Sequence, residues 1–89
     1  MSQRRLEIQN IKGLHARASA KLVEVVESFD ASAQVSKDGE STSGDSIMGL
    51  LMLAASRGTH IEVETSGTDA EALADAIGAL VADRFGEDM

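Results

Sequence analysis

The 89-residue sequence contains no cysteine, no proline, no tryptophan and no tyrosine, and its aromatic residues are two phenylalanines. Without cysteine, the chain can form neither a disulfide framework nor a thiolate metal site. It also lacks an apolar run of the roughly 20 residues that a membrane-spanning helix needs. No apolar run follows the arginines near the N-terminus, so no signal peptide is predicted. We therefore expect a cytoplasmic protein without a membrane-inserted segment.

Positive charge is also scarce, because the formal net charge is −7. Nucleic-acid binding needs a basic surface, and binding to single strands commonly adds stacking aromatic side chains, so nucleic-acid partners are not expected. The length predicts one small domain, 1–89, which is expected to be a monomer. A domain of this size has little room for an internal cavity, so its chemistry should take place at the surface.

The strands are predicted from alternating apolar and polar residues. Arg4 to Gln9 alternates, as does Ser32 to Lys37, and so does "HIEVET", which begins at His60. The sequence "KDGE" contains the Asp-Gly pair that is typical of a tight hairpin turn. This turn predicts that the following segment, "ESTSG", returns as a strand.

Three helices are predicted from apolar residues at helical spacing. The first runs from about Ala16 to Ser28. The second is short and ends near Gly58, a plausible glycine after a helix C-terminus. Its expected inward stripe consists of Ile47, Leu50, Leu51 and Ala54. The third begins at a capping box formed by Thr68 and Glu71, and it extends to about Phe85, with Gly86 ending it. Helices with one apolar stripe each should cover one face of the sheet, which predicts a two-layer α+β sandwich.

The segment "NIKGLHARASAKLVEVV" places His15 and Arg17 at the start of the first helix. One interpretation is a polar helix cap, although histidine is not a favoured N-cap residue. The neighbouring residues favour a functional role. Gly13 allows close approach, and the positive end of the helix disfavours an imidazolium ring. A neutral ring has a free lone pair that could attack phosphorus. The new anionic group would then lie beside the helix N–H groups of Ala16 and Arg17 and the Arg17 guanidinium.

Two other kinds of site are less well supported. A hydrolytic triad needs a nucleophile beside a base, and spacing alone does not place Ser19 or Ser46 near His15. A metal site would need more ligands than His15 and His60 supply. His60 shares its strand face with two glutamates, which predicts a solvated surface. No metal and no cofactor are therefore expected.

The second motif, "SGDSIMGLLML", supports a structural and a functional interpretation. Structurally, Asp45 or Ser46 caps the short helix, and its leucines enter the core. Functionally, Met48 and Met52 lie beside the inward stripe and could form an adaptable apolar surface. The expected docking surface for partner proteins consists of Ile47, Met48, Gly49, Leu51 and Met52.

Together, "GLHAR" and "SIMGLLML" resemble the histidine-containing phosphocarrier (HPr) family of the phosphoenolpyruvate-dependent phosphotransferase system, over nearly the whole chain. The resemblance implies a four-stranded antiparallel sheet in the order 1-4-2-3, with three helices on one face (βαββαβα). It also implies a phosphocarrier rather than an enzyme. Enzyme I would phosphorylate the Nδ1 (pros) nitrogen of His15, and His15 would pass the group to an enzyme IIA domain. That acceptor would serve sugar uptake or the nitrogen-related regulatory branch.

The sequence departs from the family pattern at Ala18, where the family usually has proline. Proline is well tolerated in a first helical turn, so we expect a less preorganised helix start that still forms. Ser46 matches the regulatory serine that some family members present to HPr kinase/phosphorylase.

Two alternatives remain open at this point. "GDSI" resembles the phosphopantetheine attachment site of an acyl carrier protein, which would place the prosthetic group on Ser46. That class is all-helical, whereas the alternating segments predict strands. The other alternative is an α+β interaction module in which His15 has no chemical role.

Overall fold

The computed structural model describes residues 1–87. Its elements follow the predicted order, βαββαβα, and a short turn comes after the last helix. The strands are β1 (Ser2–Glu7), β2 (Ser32–Lys37), β3 (Glu40–Ser43) and β4 (His60–Ser66); the helices are α1 (Ala16–Glu27), α2 (Ile47–Leu53) and α3 (Ala70–Ala82). The predicted domain, 1–89, includes two residues that lie outside this described range.

The four strands form one antiparallel sheet in the order β1-β4-β2-β3, as predicted. Ile61, Val63 and Thr65 of β4 are buried, whereas the alternate residues of that strand, including His60, are exposed. The helices therefore cover one face of the sheet, and the other face is open to solvent. This sheet contradicts the acyl carrier alternative, which requires an all-helical fold.

The core lies between the sheet and the helices, where apolar side chains from both layers are fully removed from solvent. Its largest members include Ile8, Leu22, Leu50, Ile61, Leu73, Ile77 and Phe85, each with 0% exposure. Burying a side chain of this size contributes about 1.5–3 kcal/mol each, before the entropic cost of ordering it. The core thus includes residues from both ends of the chain, which fixes the C-terminal turn beside the start of α1.

The predicted inward stripe of α2 is wrong in part. Leu50 and Leu53 face the core, whereas Ile47 and Leu51 are 41% and 36% exposed. The helix has only two turns, and its two buried residues are three positions apart. They form one narrow stripe, so the residues on either side of that stripe face solvent. It ends at Leu53, with Ala54 in the left-handed region at φ 53°, so Gly58 is not its terminal glycine. The exposed apolar surface of α2 therefore includes Ile47 and Leu51, which are predicted both in the inward stripe and in the docking surface.

Both ends of α3 also differ from the prediction. The N-cap residue is Asp69, its side chain makes no cap hydrogen bond, and the predicted box between Thr68 and Glu71 is not formed. Asp69 Oδ2 instead accepts a hydrogen bond from the backbone N–H of Asp30 at 2.9 Å, which links the helix to the segment after α1. At its other end α3 stops at Ala82, because the backbone reverses before Phe85 to bury that ring.

Helices long and apolar enough to cross a membrane are absent from residues 1–87.

Candidate functional site

The start of α1 presents unsatisfied backbone groups rather than a local cap. His15 is the N-cap residue, with φ −75° and ψ −178°, and its side chain makes no cap hydrogen bond. Its carbonyl oxygen accepts the first helical hydrogen bond, from the N–H of Ser19 at 2.8 Å. The first turn contains no acidic residue. The N–H groups at Ala16 and Arg17 therefore lack intrahelical partners and carry the positive end of the helix dipole. The helix forms here without the usual proline, as predicted for Ala18.

Gly13 fixes the loop that delivers His15 to this position. Its φ is +65°, and a Cβ at this residue would lie 2.4 Å from the carbonyl oxygen of Ala55. That same oxygen accepts a hydrogen bond from the N–H of Leu14 at 2.9 Å. The loop before α1 is therefore attached to the segment after α2, and only glycine allows so close an approach.

The C-terminal turn forms the other wall of the site. Three consecutive residues, Arg84, Phe85 and Gly86, have φ values of 57°, 55° and 77°. For the two that are not glycine, this conformation costs about 1–2 kcal/mol each. Burial of the Phe85 ring opposes that cost, and Lys21 of α1 donates a hydrogen bond to the Phe85 carbonyl oxygen at 2.6 Å. The turn places Glu87 at the start of α1.

The carboxylate of Glu87 contacts three residues of the His15 region. Oε2 is in direct hydrogen-bond contact with Nε2 of His15 and lies 3.6 Å from a terminal nitrogen of Arg17. Oε1 accepts a hydrogen bond from the buried amide of Asn10 at 2.9 Å. The Asn10 amide also donates to the carbonyl oxygen of Gly13 at 2.8 Å. His15, Arg17 and Glu87 are thus assembled from the two ends of the chain.

The partners of Glu87 stabilise its charged form. The pKa of its carboxyl lies below the ordinary value of 4.5, mainly because the Asn10 amide donates a hydrogen bond to it. His15 and Arg17 act in the same direction, and burial opposes them. The Glu87 side chain is only 10% exposed, whereas that of His15 is 26% exposed and that of Arg17 is 65% exposed. The site therefore contains a largely buried carboxylate, a partly accessible ring and an exposed cation.

Other predicted residues lie outside this cluster. Ser19 is buried, and its hydroxyl donates to the carbonyl oxygen of Leu14 at 3.1 Å, so it does not act beside His15 as a nucleophile. His60 is exposed on the open face of the sheet, as predicted. Clusters of three or more residues that could hold a metal ion are absent from the described range, 1–87.

The second motif forms a separate surface. Ser46 caps α2, because its Oγ accepts a hydrogen bond from the N–H of Gly49 at 3.1 Å. Met48 and Met52 are 70% and 74% exposed, and Ile47 and Leu51 extend the same apolar surface. Gly49 also has a packing role, because a Cβ there would lie 2.8 Å from Cβ of Thr42 in β3.

Sequence reasoning missed Glu87 and Asn10. Asn10 lies in the same segment as His15, but one polar residue in a loop does not by itself indicate a functional site. Glu87 is 72 positions from its histidine partner, and its place depends on the reversed backbone at Phe85. The one available signal is a large aromatic residue beside Gly86, which suggests a buried ring next to a turn.

Comparisons with known proteins agree with this fold. Residues 2–83 match the family described as "PTS HPr component phosphorylation site". The chain is 46% identical over 87 residues to a phosphocarrier protein HPr of Cupriavidus necator, covering 98% of each chain. It is 39% identical to a phosphocarrier protein NPr of Escherichia coli, covering 93% of each.

The fold is also similar to a crystal structure of HPr from Thermoanaerobacter tengcongensis, with a TM-score of 0.95, 34% identity and 100% coverage of both chains. The family match and these identities extend over nearly the entire sequence. The chain belongs to the HPr/NPr family of phosphocarrier proteins of the phosphotransferase system.

Proposed function

We propose that His15 is the residue that carries the phosphoryl group, accepting it from phosphorylated enzyme I and passing it to an enzyme IIA domain in the cytoplasm. The observation that carries this proposal is the position of His15 at an uncapped helix start beside Arg17. In the accepting step, the Nδ1 lone pair forms a bond to phosphorus, and the leaving nitrogen or oxygen of the donor takes the electron pair of the broken bond. The reverse sequence at the acceptor regenerates the free ring.

The start of α1 supplies the groups that would stabilise the transferred anion. The backbone N–H groups of Ala16 and Arg17 are available there, and helix N-termini bind phosphate through such groups. The Arg17 guanidinium adds charge-assisted hydrogen bonds. Because that side chain is 65% exposed, it can move from Glu87 towards a phosphoryl group on the ring.

Labelling with radioactive phosphoenolpyruvate and enzyme I tests this function. Wild-type protein should acquire an acid-labile label, and His15→Ala should acquire none. His60→Ala is the matched control, because His60 is exposed on the opposite face of the sheet, and this variant should label at the wild-type rate. Wild-type labelling of His15→Ala would disprove the assignment.

We also propose that the apolar surface of α2 is where enzyme I and the enzyme IIA domain dock. Ile47, Met48, Gly49, Leu51 and Met52 form this docking surface, and its four large side chains are between 36% and 74% exposed. Exposed apolar side chains concentrated on one short helix are typical of a protein contact. The flexible methionines suit a surface that must fit two partners in turn. Met48→Lys should raise the KM for enzyme I without lowering the melting temperature, and an unchanged KM would contradict this proposal.

Ser46 is proposed as a regulatory phosphorylation site for HPr kinase/phosphorylase. Its hydroxyl lies at the start of α2, beside the docking surface, and it is partly exposed. A phosphate here would add about −1.5 to −2 charges. The helix terminus would tolerate that charge, whereas an apolar contact beside it would lose affinity because the charge would have to be desolvated. Phosphorylation should therefore slow charging of His15 without unfolding the protein.

The relatives include proteins named HPr and proteins named NPr. The proposed acceptor is therefore an enzyme IIA domain of either the sugar or the nitrogen-related branch. Parallel transfer assays from phosphorylated carrier to one purified domain of each kind would identify it. Transfer to neither domain would contradict the carrier proposal.

A further inference from the structure

Glu87 is the one carboxylate that reaches the His15 ring within residues 1–87, and it is held there from several directions. Asn10 binds one oxygen, the His15 ring contacts the other, and the left-handed turn through Phe85 sets the approach of the backbone. Lys21 secures the turn through the Phe85 carbonyl oxygen. A surface glutamate that met a histidine by chance would not need a buried amide and a strained turn to hold it.

We propose that Glu87 is a positioning residue, which keeps the proton of the His15 ring on Nε2 and so leaves the Nδ1 lone pair free to attack phosphorus. This inference rests on the proposed role of His15 as the phosphoryl carrier. An ionised carboxylate can only accept hydrogen bonds. The ring nitrogen that faces it must therefore carry the hydrogen, and in a neutral ring the other nitrogen is then the nucleophile.

Glu87 also stabilises the charge that develops during transfer. When the Nδ1 lone pair forms the bond to phosphorus, the ring gains positive charge, and its Nε2 proton stays in contact with Glu87 Oε2. The donor retains the electron pair of its former bond to phosphorus. A carboxylate that orients a histidine in this way lowers the energy of the charged ring without taking up the proton.

The Asn10 contact makes the direction of the effect testable. Asn10 donates to Oε1, so the group at that position must be an acceptor. In Glu87→Gln, the amide oxygen should therefore face Asn10, and the amide NH2 should face Nε2 of His15. A donor at Nε2 favours the opposite tautomer, in which Nδ1 carries the hydrogen and has no lone pair for attack. Glu87→Gln should thus be more damaging than Glu87→Ala, although glutamine is closer in shape to glutamate.

The test combines nitrogen-15 NMR of the neutral imidazole rings with the rate of labelling by enzyme I. In wild-type protein, His15 should be almost entirely in the Nε2–H form. In Glu87→Ala it should approach the tautomer ratio of the exposed His60 in the same spectrum, and in Glu87→Gln it should be mainly in the Nδ1–H form. Labelling should fall on the order of 10-fold for alanine and 100-fold for glutamine.

The controls separate this inference from the carrier proposal. Glu24→Gln changes an exposed glutamate of α1, and it should alter neither the tautomer of His15 nor the labelling rate. Melting curves of each variant check the fold. A His15 tautomer that is the same in all proteins would overturn the inference, as would a changed tautomer with unchanged labelling. Failure of wild-type protein to label would instead reject the carrier proposal, because the tautomer does not depend on transfer.

Discussion

The two helices that bear the predicted motifs begin in different ways. At α2, the Ser46 hydroxyl accepts a hydrogen bond from the N–H of Gly49, three residues later. At α1, the His15 side chain does not cap its own helix, and the nearby carboxylate comes from Glu87. A local cap satisfies a helix start and closes it to other anions. The start of α1 has no such local cap, because the His15 side chain contacts Glu87 instead.

Both helix starts depend on a glycine, but for different contacts. Gly13 approaches the backbone of the Ala55 segment, which cannot move aside. Gly49 approaches the Thr42 side chain of β3, part of which can rotate. An added side chain at Gly13 would therefore meet backbone atoms, whereas one at Gly49 would meet a side chain.

The largest expected effect comes from adding a side chain at Gly13. Gly13→Ala should destabilise the protein by at least about 3 kcal/mol, because it combines a positive φ with a Cβ 2.4 Å from a carbonyl oxygen. Gly39→Ala is the matched control: its φ is +85°, but nothing lies within 4 Å of the added Cβ. Gly39→Ala should lower the free energy of unfolding by only about 1–2 kcal/mol. Chemical denaturation measures the free energy of unfolding of both variants. Equal losses of stability would show that the close approach of Gly13 to the Ala55 carbonyl oxygen is unimportant.

Arg17→Ala should separate the chemistry at α1 from its stability. The guanidinium is exposed and lies 3.6 Å from Glu87, so its removal should leave the melting temperature nearly unchanged. Charge-assisted hydrogen bonds to a phosphoryl group contribute roughly 1.5–3 kcal/mol, which corresponds to a transfer rate lower on the order of 10- to 100-fold. Rapid-quench labelling gives the rate, and Arg17→Lys should recover part of it. Normal transfer by Arg17→Ala would exclude this residue from the site.

Unlike Arg17, Ser46 should affect both the stability of the fold and the docking of enzyme I, and two different substitutions separate these effects. Ser46→Ala removes the acceptor for the Gly49 N–H and should cost about 1 kcal/mol. Ser46→Asp keeps a good cap, so it should melt like wild type, yet it should be labelled more slowly by enzyme I because it adds charge beside the docking surface. Equal labelling rates for wild type and Ser46→Asp would leave Ser46 as a helix cap alone.

The smallest expected effect is the pH dependence of the Glu87 contacts. The pKa of Glu87 is lower in the folded protein than the ordinary 4.5, so its ionised form stabilises the fold above that pH. This contribution should be lost as the pH falls through the lowered pKa. Wild type should therefore be more stable than Glu87→Ala at pH 7, by less than the Ser46 cap contributes, and the two should converge in acid. A stability difference between the two proteins that persists at pH 2 would show that the packing of the Glu87 side chain, and not its charge, causes it.

The contrast between the two helix starts also explains what could be predicted from the sequence. The strand alternation, the hairpin turn and the cap at Ser46 depend on residues close in sequence, and the structure confirms them. The capping box of α3 fails because Asp69 binds the Asp30 backbone, far away in the chain. The inward stripe of α2 fails because a helix of two turns gives too few residues to define its direction. Glu87 is missed because its position is set by tertiary packing.

We expect the reversed turn at Phe85 to open at a lower temperature than the sheet. The turn joins His15 to a residue 72 positions away through two strained residues and one buried ring. A segment that a single buried ring holds in place can open locally, at a lower free energy than the whole domain needs to unfold. Such an opening would take Glu87 from the ring and leave the four strands paired. On warming, the transfer rate should therefore fall below its extrapolated value before circular dichroism detects melting, and amide hydrogens of the turn should exchange sooner than those of β4.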